Sequence, residues 1–156
     1  MNLSTRGRYA TRAMLELARL WGGGPLSAAA ISVSQRISPR YLQQLLGLLK
    51  RAGLVRVVMG PGGGFRLASP PDTIRVSQIL DAVEGHVALV DCVAHESYCD
   101  RVPDCLSRSI WVEASELLNR YFASLTLTDV LDKCRKPRGG SAPKPAAVPT
   151  RRRRTG

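Results

Sequence analysis

Residues 38–68 decide the fold: SPRYLQQLLGLLKRAGLVRVVMGPGGGFRLA. Ser38-Pro39 places a helix N-cap before a proline at the first helical position, where the missing N–H costs nothing. Tyr41, Leu42, Leu45, Leu46, Leu48 and Leu49 follow at helical spacing, and the stripe ends near Gly53. Leu54 to Met59 is short and β-rich, Gly60-Pro61-Gly62-Gly63-Gly64 is turn chemistry, and Phe65 to Ala68 is a second β segment. The glycine run is not a nucleotide loop. It lacks the Gly-Lys-Ser/Thr ending and precedes a strand rather than a helix.

Upstream, Tyr9, Ala10, Ala13, Met14, Leu17, Ala18, Leu20 and Trp21 predict a first helix from Ser4 to Trp21, stopped by Gly22-Gly23-Gly24-Pro25. Ser27 caps a short second helix, and a turn through Gln35-Arg36-Ile37 leads into the third. Two helices joined by a short turn and followed by a hairpin predict a winged helix-turn-helix. The fold class is therefore mainly α with a small β-wing, spanning residues 1–85. Beyond Pro70-Pro71, Ser77 is expected to cap a helix over QILDAVEG, closed by Gly85.

Charge is unevenly spread. The chain of 156 residues carries +11, with 11 basic and 2 acidic residues in positions 1–75, and 3 basic and 10 acidic in 76–132. Positions 133–156 hold 9 basic residues and no acid. A basic N-terminal half suits a polyanion, and an acidic middle does not. The last segment, rich in Pro, Gly and Arg with no apolar period, is expected to be a disordered basic tail, and Arg151 to Arg154 a solvated run. The N-terminus has no apolar signal region and no run approaches the ~20 residues of a membrane span, so the expected location is cytoplasmic. No paired carboxylates or Ser/His/Asp grouping points to an enzyme, and 2 histidines leave little general-base chemistry.

In a helix-turn-helix the N-terminal residues of the second helix meet base edges in the major groove of double-stranded DNA. Here these are Pro39, Arg40, Gln43 and Gln44. Arg suits guanine and Gln suits adenine, because each offers two groups at the required separation. Lys50 and Arg51 suit phosphate or the helix C-terminal dipole. Arg6 and Arg8 on the first helix, with Arg56, Gly60 and Arg66 on the wing, complete a candidate backbone clamp.

From about Leu106 the chain turns helical again, with Ile110, Trp111, Ala114, Leu117, Leu118, Tyr121, Phe122 and Leu125 on one stripe and Glu113, Glu116, Asn119 and Arg120 on the other side. A helix roughly 30 Å long and this apolar, arriving after a small domain is complete, needs a partner surface. Residues 107–132 are expected to form a dimerisation helix and a short following helix. A symmetric homodimer predicts a roughly palindromic operator, with half-sites about one helical turn apart. The competing expectation is that the helix packs back on its own winged helix.

Between these units, residues 86–106 contain DCVAHESYCDRVPDC, with Cys92, Cys99 and Cys105 separated by 6 and then 5 residues. A reducing compartment argues against disulfides. The spacing excludes a zinc ribbon and a bacterial ferredoxin run. A soft metal or iron–sulfur site, redox-active thiols, or cysteines without a role remain open. His95, Glu96, Asp100 and Asp104 are nearby donors, and Cys134 lies further on.

GRYATRAM at 7–14, RYLQQLL at 40–46, GLV at 53–55, GPGGGF at 60–65, LVDC at 89–92 with the two later cysteines, IW at 110–111 and SLTLTDV at 124–130 together resemble the iron–sulfur cluster regulator (IscR) family of dimeric bacterial winged-helix transcription factors. The resemblance runs over about residues 1–132. It implies that Cys92, Cys99 and Cys105 ligate an iron–sulfur cluster, [2Fe–2S] being favoured over [4Fe–4S], and that the state of the cluster alters DNA binding; the expected action of this chain is repression. Two departures stand out. In the [2Fe–2S] type the fourth ligand is a histidine three residues after the last cysteine, where this chain has Arg108. In the nitric-oxide-sensing [4Fe–4S] members it is an aspartate early in the first helix, where this chain has Arg8. His95 is the remaining candidate. Some relatives also carry an acid in place of Gln43 and a wing arginine in place of Met59. The rival readings are a metal-free thiol switch on the same fold, an electron-transfer protein, and an architectural nucleic-acid binder driven by the tail.

Overall fold

The computed structural model describes residues 4–135; the expected tail beyond Arg135, with Arg151 to Arg154, lies outside the described residues. Helix α1 spans Thr5–Arg19, and the Ser4 hydroxyl caps it by accepting from the N–H groups of Arg6 and Gly7. Its buried face is Ala10, Ala13, Met14, Leu17 and Ala18. Helix α2 spans Ala28–Gln35 with Ser27 as its cap, and α3 spans Pro39–Arg51 with Ser38 as its cap. Leu42, Leu45, Leu46 and Leu49 of α3 are all fully buried against α1 and α2. Strands β1 (Val55–Val58) and β2 (Gly64–Leu67) form the antiparallel wing, with Val55 opposite Leu67 and Arg56 opposite Arg66.

The wing is tied to the domain by a third backbone segment. Leu26 and Phe65 exchange both hydrogen bonds, at 2.9 and 2.7 Å, so the α1–α2 linker runs as an extra edge beside β2. Gly64 makes this approach possible. A Cβ there would overlap the Leu26 carbonyl.

The α2–α3 turn is held by Ile37 N–H donating to Ser32 O at 3.1 Å and the Ser32 hydroxyl donating to Ile37 O at 2.6 Å. At its apex Arg36 has φ 52°, the only left-handed residue other than glycine among the described residues. A side chain in that conformation costs roughly 1–2 kcal/mol. The turn is also fastened to α1: Arg12 donates to the Gln35 backbone and side-chain oxygens, and Gln35 Nε2 donates to Glu16 at 3.0 Å.

Helix α4 spans Val76–Val83, and its N-cap is Arg75, not Ser77 as expected. No cap side chain is required, because Gln78 accepts from Arg75 N–H at 2.8 Å and Leu125 O accepts from Val76 N–H at 2.9 Å. The second bond belongs to a bridge between Arg75 and Thr126, and Leu127 N–H returns a bond to Ile74 O at 3.0 Å. That pairing brings α7 (Leu127–Arg135) back onto α1, with Leu127 fully buried. The helix continues through Lys133, Cys134 and Arg135, into the segment expected as tail. At its start the Thr126 hydroxyl and N–H donate to Asp129 and hold that carboxyl below the usual range.

Residues 86–106 are less irregular than a plain loop. They contain the short helix α5 (Asp91–Ala94) and 3-10 turns at Glu96–Tyr98 and Val102–Asp104. Helix α6 then runs over Arg108–Ser124, about 25 Å. Its expected single apolar stripe divides. Leu118, Phe122 and Leu125 are half-buried, while Ile110 (61% exposed), Leu117 (62%), Tyr121 (52%) and Trp111 (40%) face outward. The buried residue is Ser115, and Asn119 beside it also points inward. So α6 does pack back on its own α4 and the 86–90 segment, but through a partly polar face.

Replacing Gly64 by Ala is expected to break the Leu26–Phe65 bridge and to destabilise the chain by about 1–3 kcal/mol, as overpacking does. Urea unfolding at 25 °C measures this; a parental midpoint would show that the wing does not need the bridge.

Candidate nucleic-acid interface and cysteine segment

Burying the four leucines of α3 forces the other face of the helix outward. Pro39, Arg40, Gln43, Gln44, Lys50 and Arg51 are all exposed. On the wing Arg56 and Arg66 are exposed and directly opposite each other, a like-charge pair that is unfavourable unless an anion covers it. Gly60 sits in the wing turn with φ 98°. No acidic residue occurs between Glu16 and Asp72. Arg36, Arg40, Lys50, Arg51, Arg56 and Arg66 accordingly make no side-chain hydrogen bond or ion pair within the described residues. Elsewhere most cations are engaged, Arg12 with Gln35, Arg19 with Glu16, Arg75 with Ala123 O and Arg120 with Glu116, while Arg101 and Arg135 have no such partner among the described residues.

Arg6 and Arg8 are placed differently from the rest of the expected clamp. Arg6 Nη1 donates to Val83 O at 3.1 Å, and Arg8 Nη2 to Thr5 Oγ1 at 3.3 Å. Beside them the Glu84 carboxylate accepts from Ser4 Oγ and Gly7 N–H, both at 2.5 Å. The start of α1 and the end of α4 thus lock together, with a carboxylate at a helix N-terminus as the dipole favours. Gly7 allows the contact, since a Cβ would overlap the carboxylate. One turn further on, the Tyr9 and Tyr41 rings meet edge to face at 6.1 Å, joining α1 to the first turn of α3.

The cysteine segment is latched to α6. Asn119 accepts from Val87 N–H at 3.2 Å and donates to Val87 O at 2.7 Å, and Ser115 Oγ accepts from Leu89 N–H at 3.0 Å. Cys92 lies half-buried on α5, Cys99 is exposed between the two 3-10 turns, and Cys105 is half-buried just before α6. All three thiols, and exposed Cys134, are free. Arg108 Nε donates to the Cys92 carbonyl at 3.4 Å, joining the two ends of the segment. The Ser107 hydroxyl, with sulfur and oxygen 3.3 Å apart, holds the Cys105 thiol below its ordinary pKa; burial opposes this as the next largest effect, and backbone bonds from Ser107 and Arg108 and the charge of Arg101 add smaller lowering contributions.

Three thiols on one short segment are the right donors for a soft metal. The structure does not converge them. Among the described residues no group of three or more His, Cys, Asp or Glu side chains is arranged to hold a metal ion. His95 is exposed and lines, with His86, a cleft of about 460 Å³ between residues 84–88, α5 and α6. Ser115, Glu84 and the Arg12–Gln35 contact carry no signal in the sequence, and Asn119, expected on the side away from the apolar stripe, turns inward onto Val87. Their partners are backbone groups or residues far along the chain, and no local pattern marks them.

A helix-turn-helix with a glycine wing, cationic and unpaired on its reading side, defines a winged-helix DNA-binding regulator. The chain belongs to the Rrf2 family, described as iron-dependent transcriptional regulators, whose model matches residues 3–133. It is 39% identical over 133 residues to a putative HTH-type transcriptional regulator of Neisseria meningitidis, covering 85% of this chain and 89% of that one. Among solved structures it is similar to IscR of T. potens (TM-score 0.73, 30% identity, 91% of this chain and 94% of that one). It is equally similar to CymR, the global cysteine regulator of B. subtilis (TM-score 0.73, 32% identity, 85% and 98%). The chain is a transcriptional regulator and not an enzyme. No described helix is long and apolar enough to cross a membrane.

The Ser107 contact makes Cys105 thiolate available at lower pH than an ordinary thiol. Ser107→Ala is therefore expected to shift the pH profile of Cys105 alkylation by iodoacetamide to higher pH, read peptide by peptide by mass spectrometry. An unmoved profile would show that Ser107 does not set this thiol's acidity.

Proposed function

We propose that this chain is a homodimeric, sequence-specific repressor whose operator affinity responds to an iron–sulfur cluster held by Cys92, Cys99 and Cys105. The observation that carries the reading is the placement of three free thiols on a segment latched at Val87 and Leu89 to α6, between the reading head and an exposed apolar helix face. The family's description as iron-dependent and the similarity to IscR of T. potens support it. In this reading Arg40, Gln43 and Gln44 with Pro39 read base edges, while Lys50, Arg51, Arg56, Gly60 and Arg66 hold phosphates, with Arg6 and Arg8 at the rim. The thiolates must be deprotonated to ligate, which the lowered pKa of Cys105 favours. When bound, the cluster supplies sensitivity to oxidation, nitric oxide or iron supply. Arg108 and Arg8 cannot ligate, and His95 is the nearby candidate for the fourth position. Ordering of residues 86–106 would reset the relation of α6 to α4, a coupling typically of 1–3 kcal/mol, or roughly 5–150-fold in operator affinity.

A second reading is favoured by one observation: the Ser107-activated thiol of Cys105. In it the cysteines act as a metal-free redox switch, a reading to which the similarity to a cysteine regulator lends support. One experiment separates the two. Anaerobic preparation is expected to give coloured protein with iron and acid-labile sulfide, both lost in Cys92→Ala, Cys99→Ala and Cys105→Ala, with operator affinity changing on cluster loss. Colourless, iron-free protein whose affinity responds to diamide and is restored by dithiothreitol would select the thiol switch. Equal affinity of loaded and stripped protein for every selected operator would sink the cluster reading.

The dimer rests on Ile110, Leu117 and Tyr121, which share one outward face of α6. Leu117→Glu is expected to convert the dimer to a monomer in sedimentation equilibrium at micromolar concentration, with its circular dichroism unchanged. A dimer surviving that charge would place the interface elsewhere.

A further inference from the structure

We propose that Arg36, at the apex of the α2–α3 turn, is a phosphate-binding residue of the DNA interface. This rests on the DNA-binding reading above and adds to it a contact outside the recognition helix and the wing.

The argument begins with an uneconomical backbone. Arg36 closes α2 with φ 52° and ψ 49°, a position where glycine is the unstrained choice. Strain of this kind persists where surrounding structure enforces it, and it gathers at functional sites. The enforcement is visible. Arg36 N–H donates to Val33 O at 3.3 Å, Ile37 N–H donates to Ser32 O, and Arg12 grips the Gln35 carbonyl immediately before it. Nothing in the fold uses the Arg36 side chain in return. It is exposed, and its guanidinium makes no hydrogen bond or ion pair within the described residues.

Its place in the motif says what the side chain can reach. Arg36 lies two residues before Ser38, the N-cap of the helix whose first turn carries Arg40. When such a helix enters the major groove by its N-terminus, the residues just ahead of the cap come against the sugar–phosphate backbone bordering that groove. A planar guanidinium on a rigid turn suits a phosphate oxygen pair, and little ordering is lost on binding. The Glu16 carboxylate beside this turn is taken by Gln35 and Arg19, and no other acid occurs before Asp72, so phosphate is the available anion. Such a contact positions the recognition helix and carries no base information.

One alternative is that the charge merely complements the C-terminal dipole of α2. A dipole role predicts parental affinity and salt slope when glycine replaces arginine, so the test reads affinity beside stability. The probes are a duplex selected by the parent chain from a random-sequence pool and a second duplex of unrelated sequence. Affinity for each is followed between 50 and 200 mM salt, at roughly neutral pH. Arg36→Gly is expected to raise the thermal midpoint by roughly 2–4 °C, since strain is relieved. It should weaken both duplexes by roughly the same tenfold factor. It should also flatten the slope of log affinity against log salt by about 0.9 per protomer. Arg36→Asn, which tolerates the left-handed conformation, should lose the same affinity without the flexibility of glycine, and Arg36→Lys should retain most of it. Arg40→Ala is the control, losing the selected duplex more than the unrelated one.

Parental affinity and slope in both Arg36→Gly and Arg36→Asn would overturn the assignment. So would a loss confined to the selected duplex, which would mean base reading. A parent chain that retains no duplex overturns this and the DNA-binding reading together, whereas a cluster-free parent that still selects an operator leaves the Arg36 result decisive on its own.

Discussion

The burial of Leu42, Leu45, Leu46 and Leu49 against α1 and α2 is the constraint on which the rest depends. Four fully buried leucines on one thirteen-residue helix are worth roughly 1.5–3 kcal/mol each, enough to fix its rotation about its own axis. Once that rotation is fixed, the outward residues are not free to vary in direction. Arg40, Gln43, Gln44 and Lys50 present themselves together because the leucines cannot. The wing follows from the same anchor, since Leu54 N–H bonds back to Leu49 O and Leu54 and Val55 are buried beneath it.

Electrostatics then divides the chain by function. Among the described residues, cations outside the reading head are mostly engaged with carboxylates, amides or carbonyls, while those from Arg36 to Arg66 face water without partners. Opposing Arg56 and Arg66 across the wing would be a defect in an ordinary hairpin. An absence of acids over residues 17–71 does not stabilise the fold; it leaves a cationic face for a polyanion. The energetic cost is small because these side chains remain hydrated, and it is recovered only when counterions leave the nucleic acid.

What the sequence made legible was whatever is encoded locally. Ser27, Ser38, Pro39 and the glycine wing mark their elements with side chains at fixed offsets, and α1 to β2 form where those signals stand. Ser77 misled because its helix is capped by a carbonyl about fifty residues away: Leu125 O meets the donor that a cap side chain would otherwise satisfy. Leu26 as a third wing segment was invisible for the same reason. On α6 the expected apolar stripe divides: Ile110, Trp111, Leu117 and Tyr121 face outward, while Ser115 is buried and Asn119 half-buried. A polar side chain moves inward when the surface it meets is unpaired backbone, and residues 87–89 offer such a surface. The cysteines were legible as donors but not as an assembled site.

This last gap has a physical consequence for how residues 86–106 can work. One end is held through α4, whose terminal Glu84 is bonded to the start of α1. The same end is latched to α6 through Val87 and Leu89, while the far end runs into α6, where Arg108 reaches back to the Cys92 carbonyl. Cys92 stands on α5, while Cys99 and Cys105 stand on extended residues that follow the two 3-10 turns, with few buried contacts to keep them in place. Converging them therefore needs rearrangement of the turns and not of the anchors, so the ordering free energy is drawn from ligand binding itself. A site assembled in this way binds less tightly than a preformed one, and a ligand can bias a switch only as far as it distinguishes the two arrangements. Under the proposed reading, the absence of a ready fourth donor at Arg108 then acts in the same direction as the dispersed thiols: both lower the affinity for the cluster and make its loss easier to sense.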